Sequence, residues 1–460
     1  KENNKYIITL KYPHVIPLLK YCKVVKTRQT IEKAYNSRCI SSNVQIIEQL
    51  VKLRHQRAQI LGYKTHVDFN TEILMSKSAK NVSDFLSSLS SKLVESSTKE
   101  MERLLDFKRK ECSETGALFD GKINPYDLSY YQRIVEEKDF SVDQNLIKQY
   151  FPFEHVTKKL LQLYQSLLCL RFDEVENTKT WHPEVTLYSV HDKETNNLLG
   201  YFYLDLFPRE GKYTHAACFT ISSACVTENG HQLACAAMVA NFTKPTPEIP
   251  SLLTHDEVET YFHEFGHVMH NITSKTHYAL FQGTSVERDF VEAPSQMLEN
   301  WVWEEEALRN ISSHYKTKEP LSEDLITKLC RSRKANISLF YMRQISLAMF
   351  DYNIHTSSEA NTFDVYRKCM EEYLSITPTP GTNFSASFGH MCGDYDAQYY
   401  GYLWSLVFAC DMFLSRFKKE GIFNSETGMS YRKKILEPGS TKDGSELLRD
   451  FLGRDPIMEP

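Results

Sequence analysis

Apolar residues recur with a helical period along most of this chain, and only one stretch near its middle changes to short β-rich runs. Over residues 27–170 the apolar side chains lie three or four positions apart, which predicts stacked amphipathic helices. The runs 185–190 and 198–206 are rich in β-branched and aromatic residues, and the helical period resumes at Thr254. We therefore expect a mainly α-helical protein with a small, mainly antiparallel β-sheet.

The same change of pattern suggests how the chain is organised. Ile46, Leu50 and Leu53 form one of the predicted apolar stripes, which should face a core. We expect a mainly helical region over residues 1–180. A second region over 181–460 should begin with the sheet at 181–245 and continue with helices and a tyrosine-rich loop over 251–410.

Composition excludes several classes of protein. Hydrophobic residues make up 42% and charged residues 25% of the chain, which are ordinary values for a globular protein. The net charge is -5 and no basic block occurs, so we expect no nucleic acid partner. No apolar run approaches the about 18 residues that would span a bilayer, so we expect no membrane association.

The eleven cysteines are an odd number and are scattered singly along the chain, which favours a reducing compartment. The chain contains no Cys-x-x-Cys pair, so we expect neither a zinc ribbon nor a thioredoxin-like protein. We expect a cytoplasmic protein, with mitochondrial or secreted pools left open. The chain begins with Lys1 and not with Met, so we expect a processed product or a segment of a longer protein.

The stretch from Thr254 carries the clearest chemistry. Thr254 and Glu257 form a capping box, which predicts the start of a helix. On that helix His263 and His267 lie one turn apart and can bind one Zn²⁺, while Glu264 can reach a water molecule beside the metal. Two core histidines beside a solvated glutamate are the alternative. Chance would produce this spacing only roughly 0.07 times in a chain of this composition, so we prefer the metal site.

A catalytic zinc site needs a third protein ligand and keeps one position open. Candidate carboxylates are Asp289, Glu292 and Glu299, in a segment where Pro294 suits the first turn of a second helix. Spacing favours Glu292 as the ligand and leaves Glu299 as a residue that could orient a ligand from behind. It does not exclude the others.

A second group of candidates lies in the glycine- and tyrosine-rich stretch 388–402, which contains His390, Tyr395, Tyr399 and Tyr402. Phenol groups on a mobile backbone can donate hydrogen bonds to a substrate. An aromatic loop buried in a core is an equally good interpretation of the composition.

The run 213–219 precedes the predicted zinc helix. It could form an edge strand that pairs with an extended peptide, or an interior strand.

The motif His263-Glu-Phe-Gly-His267, followed by Phe290-Val-Glu292-Ala-Pro-Ser-Gln296, closely resembles the thimet oligopeptidase and neurolysin family of zinc oligopeptidases. The resemblance extends over nearly the whole chain, from about residue 12 to 455. It implies a zincin-like helical metallopeptidase with the sheet next to the active site. It also implies one zinc ion per chain, bound by His263, His267 and Glu292, and Glu264 as the general base.

The resemblance extends to the second group of candidates. It implies that His390, Tyr395, Tyr399 and Tyr402 contact the peptide, and that Tyr402, helped by His390, stabilises the transition state. The family usually carries Gly-Gly where this chain has Gly393-Asp394, which implies altered loop mobility and an altered peptide preference.

By resemblance, the expected activity is hydrolysis of internal bonds of short peptides by a monomer. Family members also carry a further helical segment before the position of Lys1, and residues 1–180 would form part of a channel wall. We expect this chain to lack that segment. A catalytically impaired, truncated form that binds zinc and peptide without turnover is therefore the alternative. A zinc hydrolase of non-peptide amides is a third hypothesis.

Overall fold

A computed structural model describes residues 6–458, and most of them lie in helices, which confirms the expected mainly α-helical fold. In chain order the helices are α1 Tyr12–Tyr21, α2 Val25–Asn36, α3 Ile40–Ile60, α4 His66–Thr71, α5 Ala79–Thr115, α6 Pro125–Asp139, α7 Gln144–Ile147, α8 Phe153–Leu167, α9 His255–Thr273, α10 Glu292–Glu299, α11 Glu305–Ile311, α12 Glu323–Ser332, α13 Ile337–Thr356, α14 Thr362–Leu374, α15 Gly401–Met412, α16 Lys418–Glu420, α17 Ser425–Tyr431 and α18 Gly444–Leu452. Within residues 6–458, no helix has the length and apolar character needed to cross a membrane.

Within the described residues, the strands all lie between α8 and α9. They are β1 Leu170–Glu174, β2 Thr186–Asp192, β3 Leu198–Asp205, β4 Ala217–Ser222, β5 Cys225–Thr227, β6 Gly230–Gln232 and β7 Ala234–Val239. β5 and β6 form a separate hairpin, and the other strands form one sheet in the order β1-β2-β3-β7-β4. Only the pair β3–β7 of these described strands is parallel, so the sheet is mainly antiparallel as expected.

The described chain packs into two compact units, and each is assembled from two stretches. The first unit combines the chain up to Val142 with Arg331–Leu403. The second combines Asp143–Cys330 with the chain from Trp404 onward. The expected division between residues 180 and 181 is a boundary of another kind and stays a prediction. That expectation followed the change of periodicity along the chain, whereas a compact unit also depends on which distant segments return to pack together.

Helices make up the first unit, where the long helix α5 packs against α13. The prediction that Ile46 and Leu53 face the core was wrong, because their side chains are 64% and 50% exposed. α3 instead buries Ile47, Val51 and Ala58. These positions lie four and seven residues apart, so they form an alternative stripe on the same helix.

The second unit places α9 against the sheet. The capping box is formed as predicted, since the Thr254 hydroxyl accepts from the Glu257 N–H and the Glu257 carboxylate accepts from the Thr254 N–H. The Phe265 ring lies edge-on to Phe202 of β3, with centroids 5.2 Å apart. Phe265 thereby anchors one side of α9 in the core. His263 lies two residues before Phe265 and His267 two residues after it, so both project from another side of α9.

Candidate active site

His263 and His267 project from α9 and bring their rings together. The ring centroids lie 5.0 Å apart, and the ring planes are nearly perpendicular. Because the two residues are four positions apart on a regular helix, their side chains lie one above the other on one face. The helix that the capping box starts therefore places two imidazoles side by side.

Glu292 is the residue that completes this group. It is the first residue of α10, and its carboxylate is buried. Its Oε2 atom lies 3.2 Å from Nε2 of His263 and 3.1 Å from Nε2 of His267. Among the three carboxylates that spacing left open, the structure brings Glu292 and neither Asp289 nor Glu299 to the point where both Nε2 atoms meet. We call His263, His267 and Glu292 the metal cluster.

A glycine explains how α10 comes so close to α9. A Cβ atom on Gly266 would lie 3.0 Å from Cα of Ser295 and 3.2 Å from Cδ1 of Leu298. The glycine between Phe265 and His267 therefore lets the two helices approach at the level of the metal cluster. Ser295 also donates a hydrogen bond from its hydroxyl to Oε2 of Glu292, at 3.2 Å.

Glu299 lies behind the metal cluster. Its Oε1 atom is 2.6 Å from Nδ1 of His263. A carboxylate can only accept in this contact, so Nδ1 of His263 carries a proton and its Nε2 atom is directed to Glu292. Sequence spacing had suggested such an orienting role for Glu299, and the contact is of the kind that fixes metal-binding histidines.

The electrostatics of the cluster favour a cation. Burial alone would lower the pKa of His263, but Glu292 and Glu299 outweigh it and hold that pKa well above its usual value. Burial alone would raise the pKa of Glu292, but His267 and His263 hold it well below its usual value. The point where the Nε2 atoms meet Oε2 thus attracts positive charge.

The donor set also fits zinc in kind and spacing. Imidazole nitrogens and a carboxylate oxygen are typical ligands of catalytic zinc. The separations of 3.1 and 3.2 Å from Oε2 are close to the about 3.3 Å between two ligand atoms of a tetrahedral site with bonds of about 2.0 Å.

Glu264 follows His263 in α9 and is buried, but it is not one of the converging donors. Burial raises the pKa of its carboxyl group above the usual value. The backbone N–H of Cys218, in β4, donates a hydrogen bond to this carboxylate. Asn271, one turn after His267, makes a further link, because its Nδ2 donates to the His267 carbonyl and its Oδ1 accepts from the Thr220 hydroxyl of β4.

Cys218 and Asn271 were not recognised from the sequence. The available signal for Asn271 was its position four residues after His267 on the same helical face. Cys218 offered none, because its contribution comes from its backbone.

β4 is an edge strand of the described sheet. It pairs antiparallel with β7 on one side, and its Phe219 and Ile221 side chains are exposed. Of the two positions that the sequence left open, the structure shows the edge strand, although its bounds differ from 213–219. The strand starts at Ala217, and residues 213–216 lie outside it.

The remaining predicted residues lie in the first unit and form a group of their own. We call residues 390–402 the tyrosine segment. The Tyr395 and Tyr402 rings are stacked, with centroids 5.1 Å apart and planes 7° apart. The His390 Nε2 atom is 3.3 Å from the Tyr402 hydroxyl, and the Tyr399 ring lies 5.3 Å from that of Tyr402. The structure therefore brings all of these predicted side chains together.

Asp394, where the resemblance implies a glycine, has a backbone φ of 62°. That is the left-handed conformation that glycine adopts without strain and that aspartate tolerates better than most residues.

Two histidines one turn apart on one helix, a glutamate from the next helix and a neighbouring edge strand fit the class of metallopeptidases. Residues 18–460 match Peptidase family M3, and the chain belongs to that family. This confirms the resemblance to the thimet oligopeptidase and neurolysin family.

Curated relatives cover almost the whole chain. This chain is 45% identical over 461 residues to the thimet-like oligopeptidase of Dictyostelium discoideum, and the alignment covers 98% of this chain and 68% of that protein. It is 36% identical over 475 residues to saccharolysin of Saccharomyces cerevisiae, covering all of this chain and 66% of that protein. Oligopeptidase A of Escherichia coli is 33% identical over 474 residues, covering all of this chain and 68% of that protein. The chain thus spans about two thirds of the length of these relatives.

Solved structures share the fold. A structure of PZ peptidase A with an inhibitor matches with a TM-score of 0.58 at 16% identity, covering 97% of this chain and 68% of the other. The M32 carboxypeptidase from Deinococcus radiodurans R1 matches with a TM-score of 0.54 at 12% identity, covering 98% of this chain and 79% of the other.

Proposed function

We propose that this chain is a zinc-dependent endopeptidase that hydrolyses internal bonds of short peptides. The observation that carries the proposal is the convergence of the His263 and His267 Nε2 atoms on one oxygen of Glu292. Membership of Peptidase family M3 supports peptide hydrolysis, and the names of the relatives support short peptides as the substrate class.

His263, His267 and Glu292 would hold one zinc ion per chain. Zinc bound there would supply a Lewis acid that polarises the scissile carbonyl and lowers the pKa of a water molecule. Glu299 would keep His263 in the orientation that presents Nε2, and the Ser295 hydroxyl would do the same for the carboxylate of Glu292.

Glu264 would act as the general base. It would accept a proton from the attacking water and then pass it to the leaving amine. Its burial supports this role, because a carboxyl group with a raised pKa is a stronger base than an exposed one. The N–H of Cys218 would hold one side of the carboxylate in place.

β4 would bind the substrate backbone. An edge strand presents unpaired N–H and C=O groups, and an extended peptide can pair with them as an additional strand. β4 also holds Glu264 through Cys218, so a peptide aligned on this strand would lie close to the general base.

His390, Tyr395, Tyr399 and Tyr402 would contact the peptide, and Tyr402 and His390 would donate hydrogen bonds to the negative charge that develops on the carbonyl oxygen. The family resemblance of this segment supports the assignment. So does the grouping of phenol and imidazole donors around Tyr402. Removing one such donor typically costs about 10²–10³ in rate.

The test is the variant Glu264→Gln. It should keep its zinc, because Glu264 is not a ligand in this account, and it should lower kcat for a short peptide by ~10²–10⁴. Asp256→Asn, an exposed carboxylate on the same helix, is the matched control and should be unchanged. Near-native turnover by zinc-loaded Glu264→Gln would contradict the assignment.

One observation favours the alternative of a form that binds zinc and peptide without turnover. Asp394 carries a charged side chain where the resemblance implies a glycine, and its φ of 62° is the conformation that glycine adopts without strain. Under that alternative, the zinc-loaded chain binds peptide and does not cleave it, and Asp394→Gly increases cleavage. Cleavage by the unchanged chain, with little effect of Asp394→Gly, supports the endopeptidase.

A further inference from the structure

The tyrosine segment contains a bend that its own sequence does not favour. Ala397 has φ of 61°, in the left-handed region. That conformation costs a residue with a Cβ atom about 1–2 kcal/mol, and alanine has no polar side chain to offset it. Contacts from outside the segment must therefore stabilise this bend.

Asp351 of α13 supplies the first of these contacts. Its Oδ1 atom accepts from the Ala397 N–H at 2.8 Å, and its Oδ2 atom accepts from the Tyr399 N–H at 2.9 Å. The carboxylate is buried, and Nδ1 of His355 donates to it at 2.8 Å. One charged side chain thus binds two backbone groups on either side of residue 398. Hydrogen bonds to a charged group are stronger than those between neutral groups.

The second set of contacts joins Asp396, which belongs to the segment, to residues outside it. Its Oδ2 atom lies 2.6 Å from Nε2 of His66, and its Oδ1 atom lies 3.1 Å from Nη2 of Arg54. Its backbone carbonyl accepts from Nδ2 of Asn70 at 2.8 Å. Both the side chain and the main chain of Asp396, which directly follows Tyr395, are therefore held by α3 and α4.

Arg54 connects these contacts. Its Nη1 atom donates to the Met391 carbonyl at 2.7 Å and to Nε2 of His355 at 3.1 Å. With the ion pair to Asp396, this one guanidinium binds the tyrosine segment at two points five residues apart. We call Arg54, His66, Asp351, His355 and Asp396 the supporting network.

The donor atoms of His66, His355 and Asp396 lie within 4.8 Å of one another, so a second metal site has to be considered. The hydrogen bonds argue against it. Arginine only donates, so Nε2 of His355 accepts from Arg54, and its Nδ1 carries the proton that binds Asp351. A metal ion would have to displace a guanidinium that already supplies the positive charge, and we therefore treat these residues as a hydrogen-bonded network.

We propose that Asp351, Asp396 and Arg54 are positioning residues that hold the backbone of the tyrosine segment and thereby orient Tyr402 and Tyr395 for the reaction. The inference rests on the proposed function of these tyrosines. The Tyr399 N–H is fixed three residues before Tyr402, and Asp396 is fixed directly after Tyr395. Because the two phenol rings stack on each other, a shift at either point would move both.

The test is a double-mutant cycle between Asp396→Asn and Tyr402→Phe. Asp396→Asn keeps the shape of the side chain and removes its charge. It should lower kcat ~10-fold or more, with KM changed less than ~3-fold and zinc content unchanged. In the Tyr402→Phe background, Asp396→Asn should lower kcat less than ~3-fold, because a positioning residue acts through the group that it positions. The exposed Asp84→Asn is the matched control.

The outcomes separate this inference from the proposed function. Absence of metal-dependent cleavage by the unchanged chain would refute the proposed function, and with it the inference. Native kcat in Asp396→Asn, or full additivity with Tyr402→Phe, would refute the inference alone.

A second readout does not depend on turnover. Asp351→Asn should speed hydrogen exchange of the Ala397 and Tyr399 amides at least ~10-fold relative to the unchanged chain. Unchanged exchange at both amides in a folded variant would overturn the role of Asp351. If Asp351→Asn fails to fold, Asn70→Ala gives a comparison at residues 395–397, because it removes the contacts of the Asn70 side chain to the Asp396 carbonyl, the Asp396 carboxylate and His66.

Discussion

The metal cluster and the tyrosine segment hold their side chains in different ways. The metal cluster projects from two regular helices, and its spacing is set by how closely α10 approaches α9 at Gly266. The tyrosine segment has an irregular backbone with left-handed residues at Asp394 and Ala397. Its shape depends on the buried carboxylate of Asp351 in α13, and on the ion pair between Asp396 within the segment and Arg54 of α3.

This difference has a physical consequence. A site built on packed helices is sensitive to side-chain volume at the helix contact, because interiors are close-packed. A segment held by buried charged hydrogen bonds is sensitive to the loss of one partner, since the other charge is then left buried without compensation. A change of side-chain volume should therefore affect the metal cluster more, and the loss of a charged partner should affect the tyrosine segment more.

The largest effect is expected from His267→Asn. The change removes one ligand of the metal cluster, so zinc content should fall and peptide cleavage should decrease by at least ~10³-fold. Metal analysis of the purified protein and a cleavage assay check this. His231→Asn, an exposed histidine on β6, should leave both unchanged. Full zinc content in His267→Asn would show that the metal lies elsewhere.

Glu299→Gln tests whether the contact of Glu299 with Nδ1 of His263 supports zinc binding. The variant keeps the size of the side chain and loses the charge that fixes Nδ1 of His263. Zinc affinity should fall about 10–100-fold, as measured by competition with a chelator of known affinity. Glu306→Gln, an exposed glutamate nearby in the chain, is the control and should bind zinc normally. Equal affinity in both variants would mean that Glu299 does not support the site.

Gly266→Ala tests the helix contact directly. The added Cβ would lie 3.0 Å from the backbone of Ser295, so we expect a loss of about 1–3 kcal/mol in the free energy of unfolding, together with weaker zinc binding. Gly389→Ala, next to the tyrosine segment, is the matched control because a Cβ atom added there would meet no neighbouring group within 4 Å. Equal stability losses in the two variants would contradict the comparison between the regions.

Acid should weaken the support of the tyrosine segment. Burial alone would raise the pKa of Asp396, but His66 and Arg54 outweigh it and lower that pKa from 3.8 to about 2. A carboxyl group whose pKa is lower in the folded chain contributes stability above its unfolded pKa and loses it as the pH falls through the folded pKa. The stability contributed by Asp396 should therefore be complete above about pH 4 and decrease toward about pH 2.

The measurement is urea unfolding of the unchanged chain and of Asp396→Asn at several pH values. Groups that titrate equally in both chains cancel in the difference. The advantage of the unchanged chain should shrink below about pH 4. An advantage that stays constant down to pH 2 would show that Asp396 is not held as a charged group.

Local patterns predicted much of the second unit. The capping box at Thr254 and the spacing of His263 and His267 are properties of one helix, so a single sequence window contains them. The choice of Glu292 over Asp289 and Glu299 was left open by spacing. It depends on how α10 returns to α9, which is a tertiary contact that no local window contains.

The errors have similar causes. α3 carries apolar residues on adjacent faces, and periodicity alone did not show which face is buried, so Ile46 was assigned to the core in place of Ile47. β1 was missed because the helical pattern was continued to Leu170, although Leu170 and Phe172 alternate with polar residues. The supporting network joins residues 54, 66, 351 and 396, and their pairing depends on the folded arrangement of the first unit.

The central claim is that the metal cluster binds zinc and that this zinc drives peptide hydrolysis. The most direct measurement is cleavage of an internally quenched peptide of about ten residues, before and after treatment with a chelator, on protein whose zinc content has been determined. We predict one zinc ion per chain, cleavage that the chelator abolishes, and recovery when zinc is restored. Cleavage that survives complete removal of the metal would contradict the account, as would a folded, zinc-loaded chain that cleaves no peptide.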